Sequence, residues 1–336
     1  MAGKSGREII AEQPFSWKHL FLRWESMLIL LLVAVNIMNI AISDKYWSVT
    51  GLFRATNSFL NIAFMVLPMC FVLVLGDIDI SVGSILAFSA TMLGVTYNAG
   101  APMGVAVLVA LLTGTVCGCI NGAIATQFTE LNPMIITFGT QVVYRGLCEI
   151  ILGDQSTGGL NNVMWFSNLY WGKIGGVVPY MFVIFVVCAV VFGIVQHKTT
   201  FGRRMYAIGA NREAARYSGI NVQGTRFIVF VLTGLFSAVA AIFTAASMGS
   251  INNAVGKGTE MDAIGICVLG GIMTDGGKGN FIGAMISVFL LGLLEYGLGL
   301  VNVSSNVMLV VKGALLVISV MIPNLKIVGK KKSKVA

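Results

Sequence analysis

The chain has 336 residues, of which 57% are hydrophobic and 11% are charged, and its formal net charge is +8. Soluble domains carry about 25% charged residues, and a soluble protein of this length could not bury so much apolar surface in one core. Lipid is therefore predicted to be the solvent for most of the chain. The basic residues lie at the ends of apolar runs and form no face with interleaved aromatic side chains, which argues against nucleic-acid binding and fits the positive-inside rule.

Ten apolar segments follow one another along the chain, and all but the short eighth one have about the length that a helix needs to cross a bilayer. They run over 26–43, 58–76, 81–97, 103–126, 133–152, 178–196, 227–248, 261–273, 281–300 and 305–323. The predicted fold class is therefore all-α, a polytopic membrane protein with about ten transmembrane helices.

The predicted organisation has three parts. Residues 1–25 form a cytoplasmic N-terminal segment, 26–323 form the transmembrane domain with a cytoplasmic loop at 197–226, and 324–336 form a basic cytoplasmic tail. Residues 1–25 are polar and of mixed charge, and the first apolar run is as long as a true span, so we do not expect a cleavable signal peptide.

The basic residues predict the orientation. Most of the 22 Lys and Arg residues precede the first segment, fill the loop 197–226 or close the chain. If these three regions are cytoplasmic, the number of crossings between them must be even. Six segments before the loop and four after it meet this condition and give ten crossings with both termini inside. The alternative is eight crossings, if 77–80 interrupts a helix and 261–273 re-enters the membrane.

The loop 153–177 is then the longest loop on the outer side. Trp165, Tyr170 and Trp171 have the placement of aromatic residues at a membrane interface. Its length makes this loop the predicted contact for an external partner.

Polar residues inside the second and fifth segments are candidates for a solute path. Asn57 and Asn61 lie one turn apart before Phe64, and Arg145 and Glu149 are spaced so that they can pair on one helix. Buried within a span, such groups should face the protein interior. They could bind a polar solute or could lock two helices together, and the sequence leaves both readings open.

Two carboxylates interrupt the apolar run at 76–90. An ionised carboxylate at membrane depth is costly, so Asp77 and Asp79 should line water or find partners. One interpretation is a broken helix beside the translocation path, with Ser81 starting the next helix. The other is a tight cytoplasmic turn in which Asp79 or Ser81 caps that helix.

The central loop is predicted to contain a short helix. Asn211 can cap it, Glu213 lies in its first turn, and Gly219 can end it in a left-handed conformation. A short, polar, exposed helix between two spans indicates a docking element, although a plain solvated helix is the alternative.

The glycine-rich segment 270–280 does not fit a phosphate loop. Such a loop needs Gly-Lys-Ser/Thr, whereas Lys278 is followed by Gly279. We expect a turn between two spans and no nucleotide site. The sequence contains no recognisable catalytic set and no metal-ligand spacing, so an enzyme is not expected. Glu295 and Lys312 are predicted to pair with each other.

Taken together, the motifs resemble one family. The segments GDIDISVGSILAFSA, FGRRMYAIGANREAARYSGINV, MDAIGICVLGGIMTDGGKGNFIGA and VSSNVMLVVKGALLVISVMI lie in an order and at a spacing similar to those of permease subunits of bacterial ABC importers for simple sugars, the ribose, galactose, xylose and arabinose type. The resemblance covers about 60–322. One position departs from the family pattern, because Asp77 stands where the second of two glycines is usual.

The resemblance implies a ten-helix permease in the bacterial cytoplasmic (inner) membrane that pairs with a second copy, identical or a sister permease. It implies a coupling helix that docks on a cytoplasmic ABC ATPase, and a periplasmic or lipid-anchored sugar-binding protein as the outer partner. ATP and Mg would then be bound by the ATPase, and this chain would carry no cofactor. The implied ATPase-coupling residues are Asn211, Arg212, Glu213, Ala214, Ala215, Arg216 and Gly219. The candidate translocation path comprises Asn57, Asn61, Phe64, Asp77, Asp79, Ser81, Arg145 and Glu149.

Two other functions are compatible with the residues alone. The chain could be a secondary transporter driven by an ion gradient, in which Asp77, Asp79 and Glu149 would be the proton or sodium sites. It could also be a membrane-embedded scaffold subunit. Uptake that survives an uncoupler but requires ATP would separate the importer from the secondary transporter.

Overall fold

The structure is a computed structural model that describes residues 24–43, 46–315 and 317. Most of the predicted N-terminal segment, the predicted tail 324–336 and the end of the tenth segment lie outside these residues. The regular secondary structure of the described part consists of helices and one antiparallel pair of two-residue strands, β1 (Lys173–Ile174) and β2 (Val178–Pro179).

Fourteen α-helices are described. They are α1 (Trp24–Ile42), α2 (Val49–Asn57), α3 (Leu60–Val74), α4 (Val82–Asn98), α5 (Met103–Gln127), α6 (Pro133–Leu152), α7 (Met164–Trp171), α8 (Tyr180–Lys198), α9 (Thr200–Ala210), α10 (Arg212–Tyr217), α11 (Val222–Met248), α12 (Thr259–Leu269), α13 (Phe281–Leu300) and α14 (Ser305–Leu315). A single 3₁₀ turn, Leu160–Asn162, precedes α7. Each of the ten predicted segments contains a helix, and the all-α polytopic fold class is confirmed.

The helices run back and forth between two ends of the molecule. At one end the Trp24 indole donates to the Leu269 carbonyl over 2.8 Å, and the Gly277 amide donates to the Val74 carbonyl over 2.8 Å. We call this the basic end, because α9, α10 and their arginines also lie there. At the opposite end a bridge between Thr157 and Ile251 joins the loops that follow α6 and α11. Helices α1, α4, α6, α11 and α13 lead away from the basic end, and the segments α2–α3, α5, α8, α12 and α14 lead back.

The ten passes differ in length. Six helices of the described chain are long and apolar enough to cross a membrane alone: α1, α5, α6, α8, α11 and α13. Helices α2 and α3 qualify as a seventh only as a pair bent by 63°. Helix α4 has 17 residues and α12 has 11. The short eighth segment of the sequence is thus a short helix, and a partly exposed loop over 249–258 precedes it.

Helix α3 is the centre of the bundle. Its residues from Ala63 to Val74 are all buried, as expected for a helix that is apolar on every side. Phe64 stacks on Phe243 of α11 with ring centroids 4.9 Å apart and meets Phe185 of α8 edge to face. These contacts join α3 to both α8 and α11.

Helices α5 and α11 approach each other through glycines. A Cβ atom on Gly118 would lie 2.5 Å from the Phe230 carbonyl oxygen, and one on Gly234 would lie 2.7 Å from the Gly118 Cα. Real Cβ atoms do not come so close to backbone atoms. In lipid, where apolar side chains gain little by leaving the solvent, such close backbone contact is a main source of helix association.

We expect Gly234→Ala to destabilise the protein by about 1–3 kcal/mol, because the added methyl group overpacks the seam between α5 and α11. The measurement is the midpoint of thermal aggregation of the purified protein in detergent. Gly146→Ala on α6 is the matched control, since a Cβ there meets nothing within 4 Å. Equal midpoints for the two variants would contradict the role of the seam.

Candidate functional site

Helix α10 begins and ends with the signals that the sequence predicts. The Asn211 side-chain oxygen accepts from the Ala214 amide over 2.9 Å, which caps the first turn. At the other end Gly219 has φ of +78°. The Gly219 amide donates to Arg216 over 3.0 Å and the Ile220 amide to Ala215 over 3.1 Å, the hydrogen-bond pair of a Schellman motif. The predicted short helix is therefore observed with fixed ends on both sides.

The outward side of α10 is an exposed surface of mixed charge. Glu213, Arg216 and Tyr217 are exposed, and Tyr217 is 87% exposed, whereas Ala215 is buried against the bundle. A cavity of about 310 Å³ lies beside Glu213 and Arg216. Arg212, Thr129 from the α5–α6 link, and residues 220–223 and 226 around the start of α11 complete its lining. Exposed tyrosine and arginine side chains are enriched on surfaces that another protein covers.

Arg212 differs from the other charged coupling residues, Glu213 and Arg216, because it contacts the interior of the bundle. Its guanidinium forms an ion pair with Asp77 and lies near the Leu75 carbonyl. Its side chain is 36% exposed, while that of Asp77 is fully buried. Arg212 therefore links α10 to the segment between α3 and α4 in this structure.

Helix α9 anchors α10 from the other side. The Tyr206 hydroxyl donates to the Gly279 carbonyl over 2.8 Å and accepts from Gln196 over 2.8 Å. Burial raises the pKa of Tyr206, so the phenol stays protonated as a donor at neutral pH. At Gly209 there is no room for a side chain, because the backbone of Gly277 lies against it. The segment 270–280 is thus the turn that the sequence predicts, and it supports the loop that carries α10.

Asp77 is buried and forms ion pairs with two arginines, Arg212 and Arg226. Its Oδ2 accepts from Arg226 Nε over 2.7 Å and its Oδ1 from Arg226 Nη2 over 3.3 Å. The Arg226 Nη1 also donates to the Ala125 carbonyl over 2.9 Å. The sequence predicts that Asp77 lines water or finds partners, and the structure shows the second of these. In the structure its contacts are with arginines that hold α3, α5, α10 and α11 together.

Residues 75–81 form an irregular segment inside the bundle, and Thr137 of α6 supplies much of its hydrogen bonding. The Thr137 hydroxyl lies 3.2 Å from the Ile78 carbonyl and 3.2 Å from the Ile80 amide. The Asp77 amide donates to the Val72 carbonyl over 3.1 Å. Non-helical backbone is tolerated at such depth only where protein groups satisfy it.

Asp79 is the centre of a second, fully buried polar network. Its carboxylate accepts from the Ser81 amide over 2.9 Å, from the Ser81 hydroxyl over 2.6 Å and from the Thr233 hydroxyl over 2.9 Å. Asn121 of α5 donates to Ser81 over 2.7 Å, and the Tyr144 hydroxyl of α6 lies 3.2 Å from the Asn121 oxygen. Asp79 therefore joins the start of α4 to α5, α6 and α11. Ser81 precedes α4 as predicted, but its side chain donates to Asp79 and makes no capping hydrogen bond to the first turn of α4.

The three candidates near Phe64 do not form one site. Asn57 ends α2 and Asn61 lies on α3 beyond the bend, so the expected spacing of one turn on a continuous helix is wrong. Asn57 donates to the Tyr170 carbonyl over 3.3 Å, and Tyr170 donates back to Asn57 over 3.1 Å. Phe64 is fully buried in the aromatic core, and the side-chain oxygen of Asn61 has no hydrogen-bond partner.

The predicted Arg145–Glu149 pair is absent from the described structure. Arg145 instead donates to the Val255 carbonyl over 2.7 Å and lies 3.5 Å from the Asn253 carbonyl, because the loop after α11 offers fixed acceptors. Glu149 is exposed. Glu260, a buried acid that the sequence analysis did not single out, accepts from Gln141 of the same helix α6 over 3.3 Å. The predicted pair of Glu295 and Lys312 is confirmed at 2.9 Å, and Asp262 joins it at 3.2 Å.

The candidate path residues thus do not form one site. Asp77, Asp79 and Ser81 lie together near the basic end, and Arg145 lies near the outer loops. Glu149 is exposed, and Asn57 is separated from Asn61 and Phe64 by the bend between α2 and α3. The structure brings the first group together with α10. Sequence reasoning missed Arg226 and Thr233, although their spacing of seven residues puts them on one face of α11 with Ser237. All three are buried, so a polar stripe on an apolar helix was the available signal.

We expect Arg145→Ala to loosen residues 250–258, because their carbonyl groups lose the guanidinium that holds them against α6. Hydrogen exchange measured by mass spectrometry should be faster in this segment while the exchange of α5 and α11 is unchanged. Glu149→Ala, which removes an exposed side chain one turn away, should leave the segment at wild-type rates. Unchanged exchange in Arg145→Ala would contradict the anchoring role.

Comparison with known proteins gives consistent relatives. A family model described as a branched-chain amino acid transport system permease component matches residues 51–320. The autoinducer 2 import system permease protein LsrD of Klebsiella pneumoniae is 34% identical over 304 residues, which cover 89% of this chain and 91% of the relative. LsrD of Escherichia coli is 36% identical over 301 residues, covering 88% and 91%. A solved structure of a metal-chelate type ABC transporter in an inward-facing conformation superimposes with a TM-score of 0.54 and 16% sequence identity. The match covers 88% of this chain and 98% of the transporter chain, and it shows similarity of fold alone.

The family match includes both the irregular segment 75–81 and the loop that carries α10, so it extends over the whole candidate site. The resemblance to ABC importer permeases that the motifs predict is confirmed, and the comparisons give no support to a secondary transporter. With its many apolar helices, such a permease is a multi-pass protein of the inner membrane. The chain belongs to the branched-chain amino acid transport system permease component family, whose members are the permease subunits of ABC importers.

Proposed function

We propose that this permease moves a sugar-like solute into the cytoplasm and is driven by a partner ATPase that binds α10. The observation that carries the proposal is the outward side of α10. It presents Glu213, Arg216 and an almost fully exposed Tyr217 on a helix whose two ends are fixed by Asn211 and Gly219. A short rigid helix can transmit a push from a docked protein to the helices on either side of it.

ATP and Mg would be bound by the ATPase, and this chain would contribute no cofactor. The glycine-rich segment 270–280 lacks the Gly-Lys-Ser/Thr of a phosphate loop and instead supports α9. A conformational change of the ATPase would therefore be transmitted to the helix bundle through α10. Trp24 lies at the same end as α10, which agrees with a cytoplasmic N-terminus.

The substrate class is proposed from the relatives and from the sequence resemblance to simple-sugar importers. Relatives named as autoinducer 2 import permeases make that signal the first candidate to test, with ribose as the second. The permease needs only weak binding, so that the solute can leave the path on both sides. Specificity would be set mainly by a separate periplasmic or lipid-anchored binding protein.

The surface for that binding protein would be the outer loop between α6 and α8. Met164, Trp165 and Trp171 are 77%, 51% and 58% exposed there. Exposed aromatic side chains beside a membrane interface suit a protein contact as well as lipid. A second permease copy, identical or a sister chain, would complete the path.

The proposal is tested by measuring whether ATP or an ion gradient drives uptake. In proteoliposomes that contain the permease, its co-purified ATPase and the binding protein, uptake of labelled autoinducer 2 or ribose should require internal ATP. An uncoupler should leave the initial rate unchanged, because no ion gradient drives the step. Uptake that persists without ATP and collapses with the uncoupler would contradict the proposal and favour an ion-driven carrier.

Reversal of the two charges on α10 should uncouple the permease. In the double variant Glu213→Arg, Arg216→Glu we expect at least about a tenfold loss of ATP-dependent uptake and loss of ATPase co-purification, because charge mismatch at an interface costs several kcal/mol. The variant should keep its wild-type elution volume and thermal midpoint. The conservative control Glu213→Asp, Arg216→Lys keeps both charges and should retain most activity. Normal uptake in the reversed variant would remove α10 from the mechanism.

A further inference from the structure

Asp77 forms ion pairs with two arginines that differ in burial. Arg226 makes two hydrogen bonds to the carboxylate and one to the Ala125 carbonyl, and its side chain is only 3% exposed. Arg212 forms an ion pair with the same carboxylate, but its side chain is 36% exposed. Arg226 alone is enough to neutralise the buried carboxylate. Arg212 is therefore the second cation, and its head group can return to water at low cost.

The two arginines belong to elements with different neighbours. Arg226 lies in the first turns of α11, inside the bundle, whereas Arg212 is the first residue of α10. Between them stands the irregular segment 75–81, which also carries Asp79 and its network into α5, α6 and α11. A pull on Arg212 is thus applied directly to the segment on which the interior polar network depends.

We propose that the Arg212–Asp77 ion pair is the tether by which α10 moves the segment 75–81, and that Asp77 is a positioning residue and lines no solute path. The inference rests on the proposed function, since it assumes that an ATPase moves α10. It also gives a role to the one position at which the sequence departs from the double glycine of the resembling family. A glycine at 77 could not form this ion pair.

Backbone contacts show why a side-chain tether is useful. Gly209, three residues before Arg212, lies against the backbone of Gly277, and Gly277 donates to the Val74 carbonyl over 2.8 Å. These contacts fix the end of α9 next to α3. Helix α10 itself is attached to the 75–81 segment chiefly through Arg212, because Glu213, Ala214, Arg216 and Tyr217 point outward.

The decisive variant is Arg212→Gln. It removes the exposed partner and leaves Asp77 paired with Arg226, so the fold should be retained. In the reconstituted complex we expect the ATPase to co-purify in wild-type amount, while solute taken up per ATP hydrolysed falls at least about fivefold, a coupling loss within the range usual between linked sites. Arg212→Lys keeps the charge and should recover at least about half of the wild-type ratio. Lys198→Gln, at an exposed cation of the same end, should behave as wild type.

A second variant removes the tether from the other side. Asp77→Asn combined with Arg226→Met takes out the buried charge pair together, so no unpaired charge is left inside the bundle, and such replacements are often tolerated. We expect the same loss of uptake per ATP with the ATPase still bound. If one variant does not fold, the other decides.

Three outcomes would overturn the tether. A wild-type ratio of uptake to ATP hydrolysis in either folded variant would show that the ion pair transmits nothing. Loss of ATPase binding in Arg212→Gln would make Arg212 a docking contact. Equal losses in Arg212→Gln and Arg212→Lys would show that the charge is not what matters. Failure of the wild-type complex to show ATP-driven uptake would instead contradict the proposed function, so the two failures are distinguishable.

Discussion

A chain that leaves helical geometry inside a membrane must find protein partners for its backbone, and residues 75–81 depend on this constraint. The Thr137 hydroxyl of α6 donates to the Ile78 carbonyl and accepts from the Ile80 amide. The Asp79 carboxylate accepts from the Ser81 amide at the start of α4. These partners come from helices far apart in the sequence. The segment can therefore exist only when α4, α6 and α11 are already gathered around it, and its position in turn decides where α10 can be tethered.

Glycine packing makes that gathering possible. Gly118 of α5 and Gly234 of α11 allow the two helix backbones to touch. Asn121 lies one turn beyond Gly118, and Thr233 is the neighbour of Gly234. The close approach of the two helices therefore brings the Asn121 side chain to Ser81. It also brings the Thr233 side chain to Asp79. An alanine at either glycine would separate the helices and lengthen hydrogen bonds inside the polar network, which is why packing and function are linked here.

Local signals in the sequence predict local structure well. The ten apolar runs each contain a helix, and α10 was predicted with both of its ends because Asn211 and Gly219 act within a few residues of themselves. Predictions that needed distant partners fared worse. Arg145 does not pair with Glu149 and instead donates to the carbonyl of Val255, in a loop more than a hundred residues further along the chain. The bend between α2 and α3 separates Asn57 from Asn61. The partners of Asp77 could not be read from spacing, since they lie on elements that only the folded bundle brings together.

The two acids of the irregular segment are both buried, and they contact α11 at two different depths. Asp77 contacts Arg226 and Asp79 contacts Thr233, and these residues lie seven positions apart on α11. At 1.5 Å per residue the segment follows α11 for about 10 Å. Contacts at two depths prevent the segment from pivoting about a single point, so a displacement that enters at Asp77 must carry Asp79 and α11 with it. Because Asp79 also reaches α5 and α6 through Ser81, Asn121 and Tyr144, one ion pair at the surface of the bundle would be sufficient to move four helices together.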